Sequence, residues 1–277
     1  MKTILVPTDF SDAAKNASIY AAEFAKSIRG KIILYHAYHL PIMITTDTPT
    51  TVMMDMQMVE EENLERLKKE AHHLKEKTGV DITYRITEGF AVDEILEIER
   101  SQNPDLIIMG MQQSQPLNEF LVGGIATDVI RQSLVPVMII PLGANFKQFK
   151  KIVFATDYNI DTDIHLLEPL KEFAKIFYAK LFILNIVKEL ELVGVEKEVS
   201  RMRIQNYFED LDHTHYYFED TDIIHGLNEF IEEYEIDIVT MLPHRHNLFK
   251  RMFSESYTKK MAFHTHIPLL TMPSRSL

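Results

Sequence analysis

KTILVPTDFS, Lys2 to Ser11, decides the fold because it occurs twice. KKIVFATDYN, starting at Lys150, repeats a short apolar run ending in Thr-Asp: Thr8-Asp9 in the first copy and Thr156-Asp157 in the second. A duplication sets the architecture of a chain before any local assignment does. Working outward, KIILYHAY from Lys31 is answered by KLFILNIV from Lys180. NPDLIIMG, ending at Gly110, is answered by EIDIVTML, ending at Leu242, and VPVMIIP, ending at Pro141, by IPLLTMP, ending at Pro273. The matches keep their order while their spacing shrinks, so the second copy has lost residues, mainly where the first carries Tyr38 to Met53. The domains run 1–142 and 150–277, joined by LGANFKQFK, Leu142 to Lys150, a short polar stretch rather than a long flexible linker.

Within each copy, strand-length apolar runs alternate with helix-period segments. Ala17, Ala21, Phe24, Ala25 and Ile28 share one helical face, as do Leu166, Leu170, Phe173, Ala174 and Phe177 in the second copy; Leu64, Leu67, Ala71 and Leu74 mark another helix. The strand runs ILV, IILYHA, LIIMG and VMII are continuously apolar, the pattern of a parallel sheet covered by helices on both faces. The expected fold class is α/β, with two tandem doubly wound five-stranded parallel-sheet domains of Rossmann-like type. Each half ends in an apolar strand, Val137 to Ile140 and Leu269 to Met272, that would leave an exposed edge unless the two meet in an internal pseudo-dimer. A homodimer is a further association such edges allow.

At 277 residues, 46% hydrophobic and 25% charged, each half is long enough to bury its own core. The 41 acidic residues outnumber the 29 basic ones, for a net charge of -12, so a nucleic acid is repelled on average and is not expected as a partner. The absence of cysteine removes disulfides, thiolate catalysis and cysteine zinc sites. MKTILVPTDF is too short an apolar run for a signal-peptide core and no run reaches membrane-spanning length, so the expected location is cytoplasmic, with no membrane partner.

In a doubly wound sheet, ligands sit at the carboxyl ends of strands where the strand order reverses. Pro7-Thr8-Asp9-Phe10-Ser11 puts a carboxylate and two hydroxyls there, and either Ser11 or Asp9 can equally cap the following helix. Gly110-Met111-Gln112-Gln113 closes the fourth strand, and Gly123-Gly124-Ile125-Ala126 opens the next helix after a polar loop. Glycine lets backbone approach a phosphate, and the free amides of a helix N-terminus favour an anion.

From ILVPTDFS through Gly110 and Gly123 to VPVMIIP, the chain resembles a tandem universal stress protein over nearly its whole length. The resemblance implies the adenine nucleotide alpha hydrolase-like variant of the fold, with Asp9 and the backbone around Ala37 holding adenine and ribose. The family's Gly-x2-Gly-x9-Gly-Ser/Thr motif falls here on Gly110, Gln113, Gly123 and Gly124. Two of those four positions match: Gln113 replaces a glycine and Gly124 a hydroxyl donor. With Thr8 and Ile125, these residues form the candidate site for AMP or ATP. The matching places in the second half are Leu242, Arg245, Glu255 and Ser256, and a carboxylate at a helix N-terminus repels phosphate, so that site reads as degenerate.

Other clusters have plainer readings. His244, His246, His264 and His266 have chelating spacing but read as loop and helix-end residues, and no metal is expected. Met53, Met54, Met56 and Met58 read as helix packing, and Thr45 to Thr51 as a surface loop near the second strand's mouth. With no nucleophile-base pair, Walker A loop or metal-ligand motif, an enzyme is not expected. A nucleotide-responsive stress protein leads, against a ligand-independent interaction scaffold and, more remotely, a weak nucleotide hydrolase.

Overall fold

The computed structural model describes residues 1–39, 49–114, 119–121, 124–158, 164–187, 195–243 and 266–273. The first half runs β1 (Thr3–Pro7), α1 (Asp12–Ile28), β2 (Lys31–Tyr38), α2 (Pro49–Thr78), β3 (Asp81–Glu88), α3 (Ala91–Gln102), β4 (Leu106–Ser114), β5 (Glu119–Leu121), α4 (Gly124–Gln132) and β6 (Val137–Pro141). The second runs β7 (Lys151–Ala155), a 3-10 turn (Ile164–Leu167), α5 (Glu168–Phe177), β8 (Lys180–Val187), α6 (Val195–Tyr207), β9 (His213–Glu219), α7 (Ile223–Tyr234), β10 (Ile238–Met241) and β11 (Leu269–Thr271).

The strands lie in the order β3-β2-β1-β4-β6 in the first half and, mirrored, β9-β8-β7-β10-β11 in the second. Apart from the short β5, pairing within each half is parallel, as the continuously apolar strands require. The two closing strands meet antiparallel, Ile139 opposite Leu269 and Val137 opposite Thr271, so one sheet runs through both halves. The repeat extends to how each first strand is held. Asp105 accepts the backbone amides of Lys2 and Thr3, and Asp237 accepts those of Lys150 and Lys151.

Two buried layers flank the sheet. One gathers α1, α2 and α5, where the small side chains of Ala17, Ala21 and Ala25 let α1 lie close to the strands. The other gathers α3, α4 and α7. The segment between the halves differs from its reading as a polar stretch. Phe149 is 0% exposed, its ring centroid 5.0 Å from those of both Phe173 and Phe177 and 6.4 Å from that of Phe24, while Phe146 packs edge-on to Phe149 at 5.8 Å. Both phenylalanines sit among polar residues in sequence, which hides an aromatic joint shared by the two halves.

Three local readings are corrected. Helix α2 starts at Pro49, so Thr50 and Thr51 are helical rather than loop. On that helix, Leu67, Ala71 and Leu74 are buried but Leu64 is 38% exposed and Met58 67%, so packing accounts for the first three and not for Met58. Strand β4 continues past Gly110 to Ser114 and folds back on β5, a short antiparallel pair where a plain polar loop was expected.

Candidate functional site

The strand order reverses between β1 and β4, and a cavity of about 250 Å³ opens there, just under the roughly 300–1,000 Å³ of typical ligand sites. Thr8, Asp9, Ala37, Gly110, Gly124 and Ile125 all line it, together with Ser11, Tyr35, Ala91, Ile95 and Met109. Six of the eight residues read from sequence thus come together. Gln113 lies in the β4–β5 pair, its backbone opposite Phe120, and Gly123 falls outside the described residues.

The turn after β1 is built by its own side chains. Thr8 Oγ1 accepts the amide of Phe10 at 3.1 Å, and one carboxylate oxygen of Asp9 accepts the amide of Ser11 at 2.9 Å. Ser11 Oγ caps α1 by accepting the amide of Ala14. Phe10 takes a left-handed conformation, φ 64°, and this folds the chain back toward α1. Beneath it, His36 Nδ1 lies 2.7 Å from the Thr8 carbonyl, which can only accept, so that nitrogen carries the proton. Burial, the main cause, holds the His36 pKa below its ordinary value, so the ring is neutral at pH 7.

The second half repeats this turn with different parts. Asn185 donates to the Thr156 carbonyl at 2.7 Å, Thr156 Oγ1 accepts the amide of Tyr158, and Tyr158 has φ 55°. The repeated Thr-Asp therefore records a shared turn, and it says little by itself about a shared ligand.

The glycines separate the halves. A Cβ at Gly110 would lie 2.3 Å from the backbone oxygen of Ala13, so the bare Cα of Gly110 lets the first turn of α1 sit directly against β4. In the second half that place is Leu242, whose side chain packs onto the buried layer, and the described helix begins further along, with the 3-10 turn at Ile164. At Gly124, by contrast, a Cβ would meet nothing within 4 Å.

Three helix starts point into the cavity: Ala13 and Ala14 of α1, Ala91 of α3, and Gly124, Ile125 and Ala126 of α4. The N-cap residue of α3, Phe90, offers no side-chain hydrogen bond, so amides of that first turn are without a side-chain partner at the cap. The partial positive ends of three helices favour an anionic ligand, and Asp9, in the turn leading into α1, is the carboxylate among the lining residues. The walls are tied together behind the cavity, where buried Glu99 of α3 accepts the amide of Leu134 after α4 at 2.6 Å. Burial, the largest influence, raises the Glu99 pKa despite that bond.

A model of the universal stress protein family matches residues 1–141, more than half of the chain. The chain belongs to the universal stress protein family. Universal stress protein MJ0531 of Methanocaldococcus jannaschii is 28% identical over 139 residues, spanning 50% of this chain and 81% of the relative. Universal stress protein MJ0577 of the same organism is 28% identical over 152 residues, spanning 50% of this chain and 94% of that one. A universal stress protein from Archaeoglobus fulgidus DSM 4304 shares the fold with a TM-score of 0.72, covering 99% of this chain and 98% of its own at 18% identity.

Against the family's glycine motif, sequence reasoning missed Tyr35, Ala91, Ile95 and Met109 as wall residues. Tyr35 was within reach, since it stands two before Ala37 on a strand and therefore shares its face. Ala91 and Ile95 lay in a segment with no chemical signature. Arg245, Glu255, Ser256, His244, His246 and His264, on which the second-half and metal readings turned, lie outside the described residues. Asp220, His225 and Glu229 do cluster: the His225 ring faces Asp220 at 2.7 Å through Nδ1 and Glu229 at 3.6 Å through Nε2. The hydrogen bond to Asp220, then the nearby carboxylates, raise the His225 pKa, and with both ring nitrogens engaged the cluster reads as an ion pair. No helix among the described residues is long and apolar enough to cross a membrane.

Proposed function

We propose that this universal stress protein senses an adenine nucleotide, AMP or ATP, through its first half alone. The observation that carries the reading is the gathering of Thr8, Asp9, Ala37, Gly110, Gly124 and Ile125 around one cavity at the topological switch point. Asp9 keeps one carboxylate oxygen for a ribose hydroxyl after its other accepts Ser11, Ala37 and Ala91 offer small apolar lining for a base, and the α4 start takes phosphate. Second-half residues at the matching positions replace glycine with bulk, which supports one nucleotide per chain rather than two.

Titration calorimetry with ATP and AMP on wild type, Asp9→Asn and Gly124→Ser tests this reading. Asparagine keeps the acceptor for Ser11 but removes the charge, so binding is expected to weaken about ten- to a hundredfold, in line with the roughly 1.5–3 kcal/mol of a charged hydrogen bond. Serine at position 124 meets open space, and its hydroxyl is expected to tighten binding by about 0.5–1.5 kcal/mol, the worth of one added hydrogen bond. Wild-type binding unaffected by either change would place the nucleotide elsewhere, and no binding to any form would remove the reading.

A further inference from the structure

The cavity wall holds one polar group that the nucleotide reading does not use. Tyr35 is 0% exposed and lines the cavity, yet its hydroxyl makes no hydrogen bond within the protein. Thr87 and Glu94 stand close enough to influence its ionisation, but neither forms a hydrogen bond of sound geometry with it. Burial, the leading cause, raises the phenol pKa, so the hydroxyl keeps its proton and can both donate and accept. A buried hydroxyl left unpaired is costly, and buried polar groups are nearly always satisfied by protein, water or ligand.

Its position fixes which part of a ligand it would meet. Tyr35 and Ala37 lie on the same face of β2, and across from them stand Ala91 and Ile95 of α3. Ala37, Ala91 and Ile95 give the cavity apolar lining, while Thr87 and Glu94 stand close to the phenol. We propose that the Tyr35 hydroxyl reads the polar edge of the bound base, making a hydrogen bond that distinguishes a nitrogen heterocycle from an apolar ring. The proposal rests on the nucleotide reading above and adds the contact that selects the base.

Tyr35→Phe tests this with two measurements on the full chain: ATP titration calorimetry, and thermal unfolding without nucleotide. Expected is a roughly three- to tenfold loss of ATP affinity, the usual worth of one hydrogen bond. The melting temperature without ligand should hold or rise, because phenylalanine removes an unpaired hydroxyl and no internal bond. Unchanged ATP affinity in a variant whose parent binds ATP would overturn the proposal while leaving the nucleotide reading in place. So would a melting temperature lowered by several degrees, since the hydroxyl would then belong to an internal pair. Failure of the wild type to bind ATP would overturn both.

Discussion

Phe149→Ala is expected to destabilise the protein by about 3–5 kcal/mol, the range for truncating a fully buried phenylalanine. The ring is shielded completely and touches Phe24 from one half and Phe173 and Phe177 from the other, so its loss leaves a cavity with walls from both. The surrounding rings are themselves mutually packed, Phe24 on Phe173 at 6.0 Å and Phe173 on Phe177 at 5.0 Å, and can collapse only partly into the space. Urea unfolding followed by circular dichroism should show the midpoint fall with little change in slope. A loss under about 1 kcal/mol would mean that the joint between the halves is held by the β6–β11 pairing alone.

Gly110→Ala is expected to cost about 3 kcal/mol, at the upper end of overpacking effects. The obstacle is backbone: the new methyl would sit 2.3 Å from the Ala13 oxygen, 2.5 Å from its carbonyl carbon and 3.0 Å from the Ala14 nitrogen. No side chain can swing aside to relieve it, so α1 must move away from β4, and because Ala13, Ala14 and Gly110 all line the cavity, the site opens with it. Gly124→Ala is the matched control, expected to stay within about 0.5 kcal/mol of wild type because its methyl meets only open space. Equal stability of the two variants by urea unfolding would contradict this account of Gly110.

These two residues also show where sequence reading succeeds and where it stops. The duplicated KTILVPTDFS and the continuously apolar strands were enough for the doubly wound halves, because burial on both sheet faces leaves its trace residue by residue. Gly110 was legible as a candidate residue and does line the cavity, but its packing reason was not legible: the close neighbour is Ala13, almost a hundred residues earlier, and only packing brings it there. Phe149 was hidden by its polar surroundings in LGANFKQFK, where no periodicity shows which side faces inward. Tyr35 read as one more apolar strand residue, since a phenol's partner, or its lack of one, depends on what the neighbouring strand and helix present. Thr8 and Thr156 look alike in sequence and build the same turn, while Gly110, unlike Leu242 at the matching place, matters through the α1 start packed against it.

The proposed function makes the two halves unequal, with a nucleotide in the first and none in the second. It is tested most directly by the stoichiometry of ATP binding to the wild type and to Asp9→Asn and Asp157→Asn, with the protein freed of small molecules by unfolding and refolding. The account predicts one ATP per chain, weakened by the substitution at Asp9 and untouched by that at Asp157. Two ATP per chain, or dependence on Asp157 instead, would contradict it.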